Sequence, residues 1–245
     1  FYMEINWESQ VLSSVSKVIP KLSCLEIDID KLHEVAAELS EDSFSINYEG
    51  NTNTVPKEYI RKTMLINTLN FVFTDFLTSV KYKIENYSDT DAMVYQIDKA
   101  LDQGIPLTQG RFMRDMNLKE FKTLFTGNIV MPMADEKVKI LNNVGDILVT
   151  KYGGDWINFI DDGPKKLYDN GKGLVERLVR DFKRFDDHSI FENEKIYFLK
   201  LAQLAFWGIH RELSKRYFYI EDMENMTAFA DYIIPVALES FGIVK

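Results

Sequence analysis

Asp231 is the carboxylate in this chain that most needs a chemical reason. It sits in Phe229-Ala230-Asp231-Tyr232 and is followed by Ile233-Ile234-Pro235. A carboxylate buried in so apolar a segment is costly unless it is paired or hydrogen-bonded. Two readings stay open from spacing alone: a structural Asp that caps a helix, or a group that acts on a ligand. Asp187, in Phe185-Asp186-Asp187-His188, and Asp75, after Phe71-Val72-Phe73-Thr74, are weaker candidates of the kind that usually cap helices or sit in loops. Aromatic residues near Asp231 (Phe229, Tyr232) and in the run with Phe198, Phe206 and Trp207 can stack on a flat base, although aromatics in a helical core are mostly core. The three histidines, His33, His188 and His210, show no metal-ligand spacing. Asp161-Asp162-Gly163 lacks the remaining ligands of a calcium loop and reads as a turn. There is no P-loop, dinucleotide fingerprint, His-Glu-x-x-His or Gly-x-Ser-x-Gly.

Helices must position these groups. Apolar residues recur at helical spacing in Lys57 to Phe73, and again in Asp135 to Lys151, which Gly153-Gly154 should stop. Ile196 to Tyr217 is apolar nearly all round and predicts a buried central helix. Further helices are expected at Ser9 to Val18, Asp30 to Leu39, Asp91 to Gln103, Leu118 to Phe125, Lys165 to Phe182 and Met223 to Phe241. Gly171 and Gly173 threaten to split the one from Lys165. Asn117 followed by Glu120 predicts a capping box. The only β element expected is Phe76 to Tyr87, in a small hairpin with Ser43 to Tyr48. Glu49 to Pro56 reads as a surface loop.

The totals bound the class. The 245 residues, 46% hydrophobic and 13% aromatic, suit one domain with a continuous core. The single cysteine, Cys24, allows no internal disulfide and predicts a reducing, cytoplasmic setting. Met3 is the expected natural start after Phe1-Tyr2. No apolar run approaches a membrane span, and no signal pattern is seen at the N-terminus. The net charge of −9 argues against direct nucleic-acid binding, which needs a basic face. It leaves room for a small anionic ligand held by one cation and a few N–H groups. The composition is silent on oligomeric state.

In one order over nearly the whole chain, the sequence resembles the queuosine-salvage family, the queuosine 5′-phosphate N-glycosylases. The resemblance is carried by Asn67-Thr68-Leu69-Asn70-Phe71-Val72-Phe73, Ala100-Leu101-Asp102-Gln103-Gly104-Ile105-Pro106-Leu107-Thr108, and Met131-Pro132-Met133 with Glu136. It continues through Ile140-Leu141-Asn142-Asn143-Val144-Gly145, Tyr152-Gly153-Gly154, the spacing of Phe182, Phe185 and Asp187, and Lys200-Leu201-Ala202-Gln203. Its strongest piece is Thr227-Ala228-Phe229-Ala230-Asp231-Tyr232-Ile233-Ile234-Pro235. The resemblance implies a mainly α fold: one helical domain over 1–245, similar to DNA glycosylases, with at most a small β-hairpin.

It also implies hydrolysis of the N-glycosidic bond of queuosine 5′-monophosphate, or a close 7-deazapurine nucleotide, to free queuine for salvage into tRNA. A small-molecule nucleotide is the implied partner, with no metal and no organic cofactor. Such chemistry needs a carboxylate against positive charge developing on the ribose. Asp231 is placed there by resemblance, with Asp187 and Glu136 as lesser candidates. Lys200 is assigned to the phosphate, and Asn70, Phe71, Phe229 and Tyr232 to the nucleoside. Gly208 stands where the family carries an Asp, and Thr74 where it carries a Trp. These departures motivate the alternative of a non-catalytic member that binds a nucleoside or a partner.

Overall fold

Pro56, pre-set for the first turn of a helix, opens α3 (Pro56–Leu69). Ile60, Met64, Leu65 and Leu69 of that helix are at most 1% exposed, so α3 is the hub on which the other helices pack. The computed structural model describes residues 9–23, 25–39, 53 and 55–245. Before α3 lie α1 (Gln10–Val15) and α2 (Ile29–Glu38), the latter capped by Asp28, whose carboxylate accepts from the Lys31 N–H at 2.9 Å. Then follow α4 (Asp89–Asp102), α5 (Gly110–Asp115), α6 (Leu118–Leu124), α7 (Ala134–Tyr152), α8 (Trp156–Asp161), α9 (Leu174–Asp181), α10 (Lys200–Leu213) and α11 (Ile233–Ser240). The protein is mainly α. The Asn117–Glu120 capping box forms as expected, with both reciprocal bonds at 3.0 Å.

Helices α4, α7, α8 and α10 all pack against α3. Helix α5 lies unusually close to α7: a Cβ on Gly145 would come within 2.3 Å of the Arg114 nitrogen. The Asn142 amide reaches across the same contact to the carbonyls of Met113, Arg114 and Met116, at 2.9–3.0 Å. These are carbonyls that the end of so short a helix leaves without internal partners. Trp156, Phe159 and Phe182 are fully buried and pack with centroids 4.8–5.8 Å apart, giving the core an aromatic centre.

The structure corrects several expectations. The helix expected from Ile196 begins only at Lys200, because Ile196 and Tyr197 belong to strand β4 (Glu194–Tyr197). That strand pairs with β3 (His188–Phe191), a hairpin the alternation of apolar residues did not announce. Its signal is the turn pair Glu192-Asn193, both left-handed at φ 46° and 67°, as a two-residue hairpin turn requires. Lys165 to Phe182 is helical only from Leu174. Gly171 sits at φ 87°, and a Cβ on Gly173 would meet the Leu167 carbonyl oxygen at 2.4 Å. Met223 to Phe241 breaks into a single 3-10 turn at Met223–Asn225, an extended stretch, and α11. The strand expected at Phe76 to Tyr87 pairs locally, as β1 (Lys83–Ile84) with β2 (Tyr87–Ser88). Its expected partner, Ser43 to Tyr48, lies outside the described residues, as do Met3 and Cys24.

Candidate active site

The start of α10 is built by chain closure rather than by a side-chain cap. The Asp187 carbonyl accepts from the N–H groups of Phe198 (2.9 Å) and Leu199 (3.3 Å), so hairpin β3–β4 returns the chain to where it left. Leu199, fully buried, is the N-cap and is left-handed at φ 50°. Lys200 follows, and its amine donates to the Asp231 carboxylate; the two side chains are 30% and 27% exposed. Lys200, Gln203 and Trp207 recur at helical spacing, and all three hold the segment that carries Asp231. The Gln203 amide exchanges two bonds with Thr227, each 2.9 Å, and Trp207 meets the edge of Phe229 at 5.8 Å between ring centroids.

Asp231 is therefore paired and hydrogen-bonded but not buried. Its apolar neighbours face outward, Tyr232 being 81% and Ile233 59% exposed, so the local sequence overstated the burial. Its second oxygen accepts from the Ile233 N–H at 3.1 Å, just ahead of α11, whose N-cap is Tyr232. The Lys200 hydrogen bond, helped by the Ile233 N–H, holds the carboxyl below its ordinary value. The group is ionised, close to a cation and open to solvent, which suits electrostatic stabilisation of a developing positive charge or the orientation of a water.

A second cluster forms where α3 ends. Asn70 is the C-cap of α3, and its side-chain oxygen accepts from the Thr90 hydroxyl at 3.0 Å. Val72 adopts φ 44°. For a β-branched residue this conformation is an outlier worth about 1–3 kcal/mol of strain. The fully buried Lys137 amine donates to the carbonyls of Phe71 and Val72, the latter at 3.2 Å. It also lies 3.7 Å from the Phe71 ring centroid and 5.0 Å from that of Phe73. Arg184 donates to the Thr68 carbonyl at 2.7 Å and the Asn70 carbonyl at 3.4 Å, with its guanidinium 4.6 Å from the Phe71 centroid. Burial lowers Lys137 to about 7, with repulsion from Arg184 adding to the effect and Glu136 opposing it. Burial also lowers Arg184 to about 10, against the attraction of Asp187.

The two clusters occupy one end of the molecule. Gly208 lies against Thr63, 3.6 Å from where a Cβ would stand, and its carbonyl accepts from Tyr59 at 3.4 Å. Arg184 bonds the Thr68 and Asn70 carbonyls at the end of α3 and is attracted by Asp187. The Asp187 carbonyl accepts from the two residues before α10, so the first residue of α10 lies toward the last of α3. Glu136 and Asp187 are both exposed at this end, the first influencing the buried Lys137 and the second the partly buried Arg184. Among the described contacts neither touches Asp231. Asn70 and Phe71 join the Lys137–Arg184 cluster, whereas Phe229 and Asp231 join the α10 cluster, and Tyr232 points away into solvent.

Sequence reasoning missed Lys137, Arg184, Gln203 and Thr227 as a supporting frame. Lys137 was findable, because it shares the apolar face of α7 with Ala134, Val138 and Leu141. A polar groove of about 710 Å³ lies elsewhere, lined in part by Glu58, Arg61, Arg111 and Asp155. Arg61 is already spent there in a two-pronged pair with Asp155 at 2.7 and 2.9 Å, and no candidate residue faces that groove.

A family profile described as "Queuosine salvage protein" matches residues 47–245. The chain belongs to the queuosine salvage protein family. Curated relatives carry the name queuosine 5′-phosphate N-glycosylase/hydrolase. The protein from Mus musculus is 30% identical over 190 residues, covering 74% of this chain and 54% of its own length. The Bos taurus protein is 27% identical over 217 residues, covering 85% and 62% respectively. The Sphaerobacter thermophilus protein is 23% identical over 240 residues, covering 96% and 73%. The chain thus spans between about half and two thirds of the length of the two mammalian relatives. Both clusters fall inside the queuosine salvage match. Among the described residues, no helix is long and apolar enough to cross a membrane.

Proposed function

We propose that this queuosine salvage family member hydrolyses the N-glycosidic bond of queuosine 5′-monophosphate, or of a close 7-deazapurine nucleotide. The observation that carries the reading is the partly exposed pair between Lys200, at the start of α10, and Asp231 of the Phe-Ala-Asp-Tyr segment. In the reaction the bond from ribose C1′ to the base nitrogen breaks and its electron pair leaves with the base. Water adds its oxygen to C1′, and a proton goes to the base. A 7-deazapurine has carbon at position 7, so the protonation that helps ordinary purines leave is closed to it. Contacts along the other edges of the base must help instead.

Asp231 faces the cationic ribose, and Asp187 and Glu136 are further acids of this end. Asn70 and Phe71 receive the base, with Phe229 closing from the α10 side; Tyr232, turned to solvent, reaches the nucleoside only by swinging inward. Lys200 holds Asp231 ionised, and a phosphate contact there would share the same amine. The reading takes the chain as a single helical domain in the cytoplasm, acting on a free nucleotide rather than on a nucleic acid, in keeping with its net charge of −9.

The test is incubation of purified protein with queuosine 5′-monophosphate and with queuosine, followed by mass spectrometry of free queuine. Multiple turnovers on the monophosphate are expected. Tight binding of either compound without release would replace the hydrolase by a nucleoside-binding member of the family.

A further inference from the structure

Lys137 and Arg184 are cations at the proposed site whose described hydrogen bonds all go to backbone carbonyls. Neither has a carboxylate within ion-pair distance among the described residues. Lys137 is the sharper case, since its side chain is fully buried. A methionine would fill much the same space without burying a charge. What a methionine cannot do is serve the two carbonyls that the amine gathers at the left-handed Val72. Without an amine, the Phe71 and Val72 oxygens would be left without that donor, and the turn would have reason to relax.

The same amine touches the face of Phe71, and Arg184 grips the Asn70 carbonyl one residue earlier. Both residues proposed to receive the base are thus fixed through backbone that these two cations hold. We propose that Lys137 is a positioning residue of the glycosylase. Its amine gathers the Phe71 and Val72 carbonyls, keeps Val72 left-handed, and so sets the Phe71 ring and the Asn70 amide where the nucleoside is received. This inference rests on the proposed hydrolase reading.

The experiment compares wild type, Lys137→Met, Asn70→Ala and the double variant by kcat and KM for queuosine 5′-monophosphate, with melting temperatures alongside. Lys137→Met is expected to raise KM at least tenfold while remaining folded. Its effect and that of Asn70→Ala should combine to much less than their product, because both act through one turn. A purely structural lysine would lower the amount of active protein and leave KM unchanged, and that result overturns the proposal. So does a double variant whose losses multiply. Should Lys137→Met not fold, Lys137→Gln, which keeps one donor, is expected to show a smaller rise in KM, and a wild-type KM there overturns the proposal equally. Wild type that releases no base defeats the hydrolase reading on its own. Lys137 is then judged by Kd for the same nucleotide in the same variants: a tenfold loss upholds its role and an unchanged Kd removes it.

Discussion

Helices α7 and α10 begin in the same way. Each has a left-handed non-glycine N-cap, Met133 at φ 55° and Leu199 at φ 50°, with a lysine close behind it: Lys200 opens α10, and Lys137 is the fourth residue of α7. A cation at the positive end of a helix is placed against the helix dipole. The two ends answer that cost differently. Lys200 stays partly in water and finds the Asp231 carboxylate, giving a pair whose charge is available to a ligand. Lys137 is sealed away and finds carbonyls and ring faces, so that its charge can act only on the backbone around it. The comparison teaches that a lysine near a helix start keeps its charge accessible where solvent reaches it and works on the backbone where solvent does not.

The largest effect that separates the two ends is expected from Asp231→Asn. This variant keeps the shape and a hydrogen-bonding side chain but removes the charge proposed to face the ribose. Queuine release should fall by about 10³, of the size seen when a transition-state stabilising group is lost. Thermal unfolding should move little, because the pair is close to a third exposed and worth little to stability. Unchanged turnover would take Asp231 out of the mechanism.

The buried end should show itself through pH instead. Lys137 is lowered in the fold to about 7 from an ordinary 10.5. Between those values the unfolded chain binds the proton and the folded protein does not, so stability from this group rises with pH across that window. Urea unfolding of wild type and Lys137→Met at pH 6.5 and 9.5 should show wild type gaining on the variant as pH rises, by on the order of 3 kcal/mol. A constant difference would mean that the amine stays charged in its carbonyl nest.

The smallest effects concern the N-caps. Leu199→Gly relieves a left-handed backbone but empties a fully buried site, and should cost about 2 kcal/mol net by urea unfolding. Met133 is 38% exposed, so Met133→Gly should stabilise by about 0.5–1 kcal/mol through backbone relief alone. Like signs for the two would break the parallel between the helix starts.

The long helices were legible because burial imposes a period: α3 and α7 appear within a few residues of where their apolar faces put them. Helices α5 and α8, six residues each, are too short to show a period and depend on contacts far along the chain. Of the candidate site, Asp231 stood out singly by its apolar setting, and Lys200 came only through the family resemblance; that the two pair, across 31 positions, was not legible. Nor was the site legible where a side chain works on distant backbone. Lys137 reaches Phe71 across 66 residues, and Gln203 reaches Thr227 across 24, and no spacing rule encodes either.

The Asn142 clamp bears on the order in which the chain acquires structure during synthesis. Helix α5 has six residues, below the length at which a helix persists alone. Its terminal carbonyls gain their donor only when Asn142 arrives, 26 to 29 residues later. At ribosomal speeds that is a wait of roughly 1–6 s. For that interval α5 is a segment without a fold of its own, and it becomes a helix when α7 emerges to receive it.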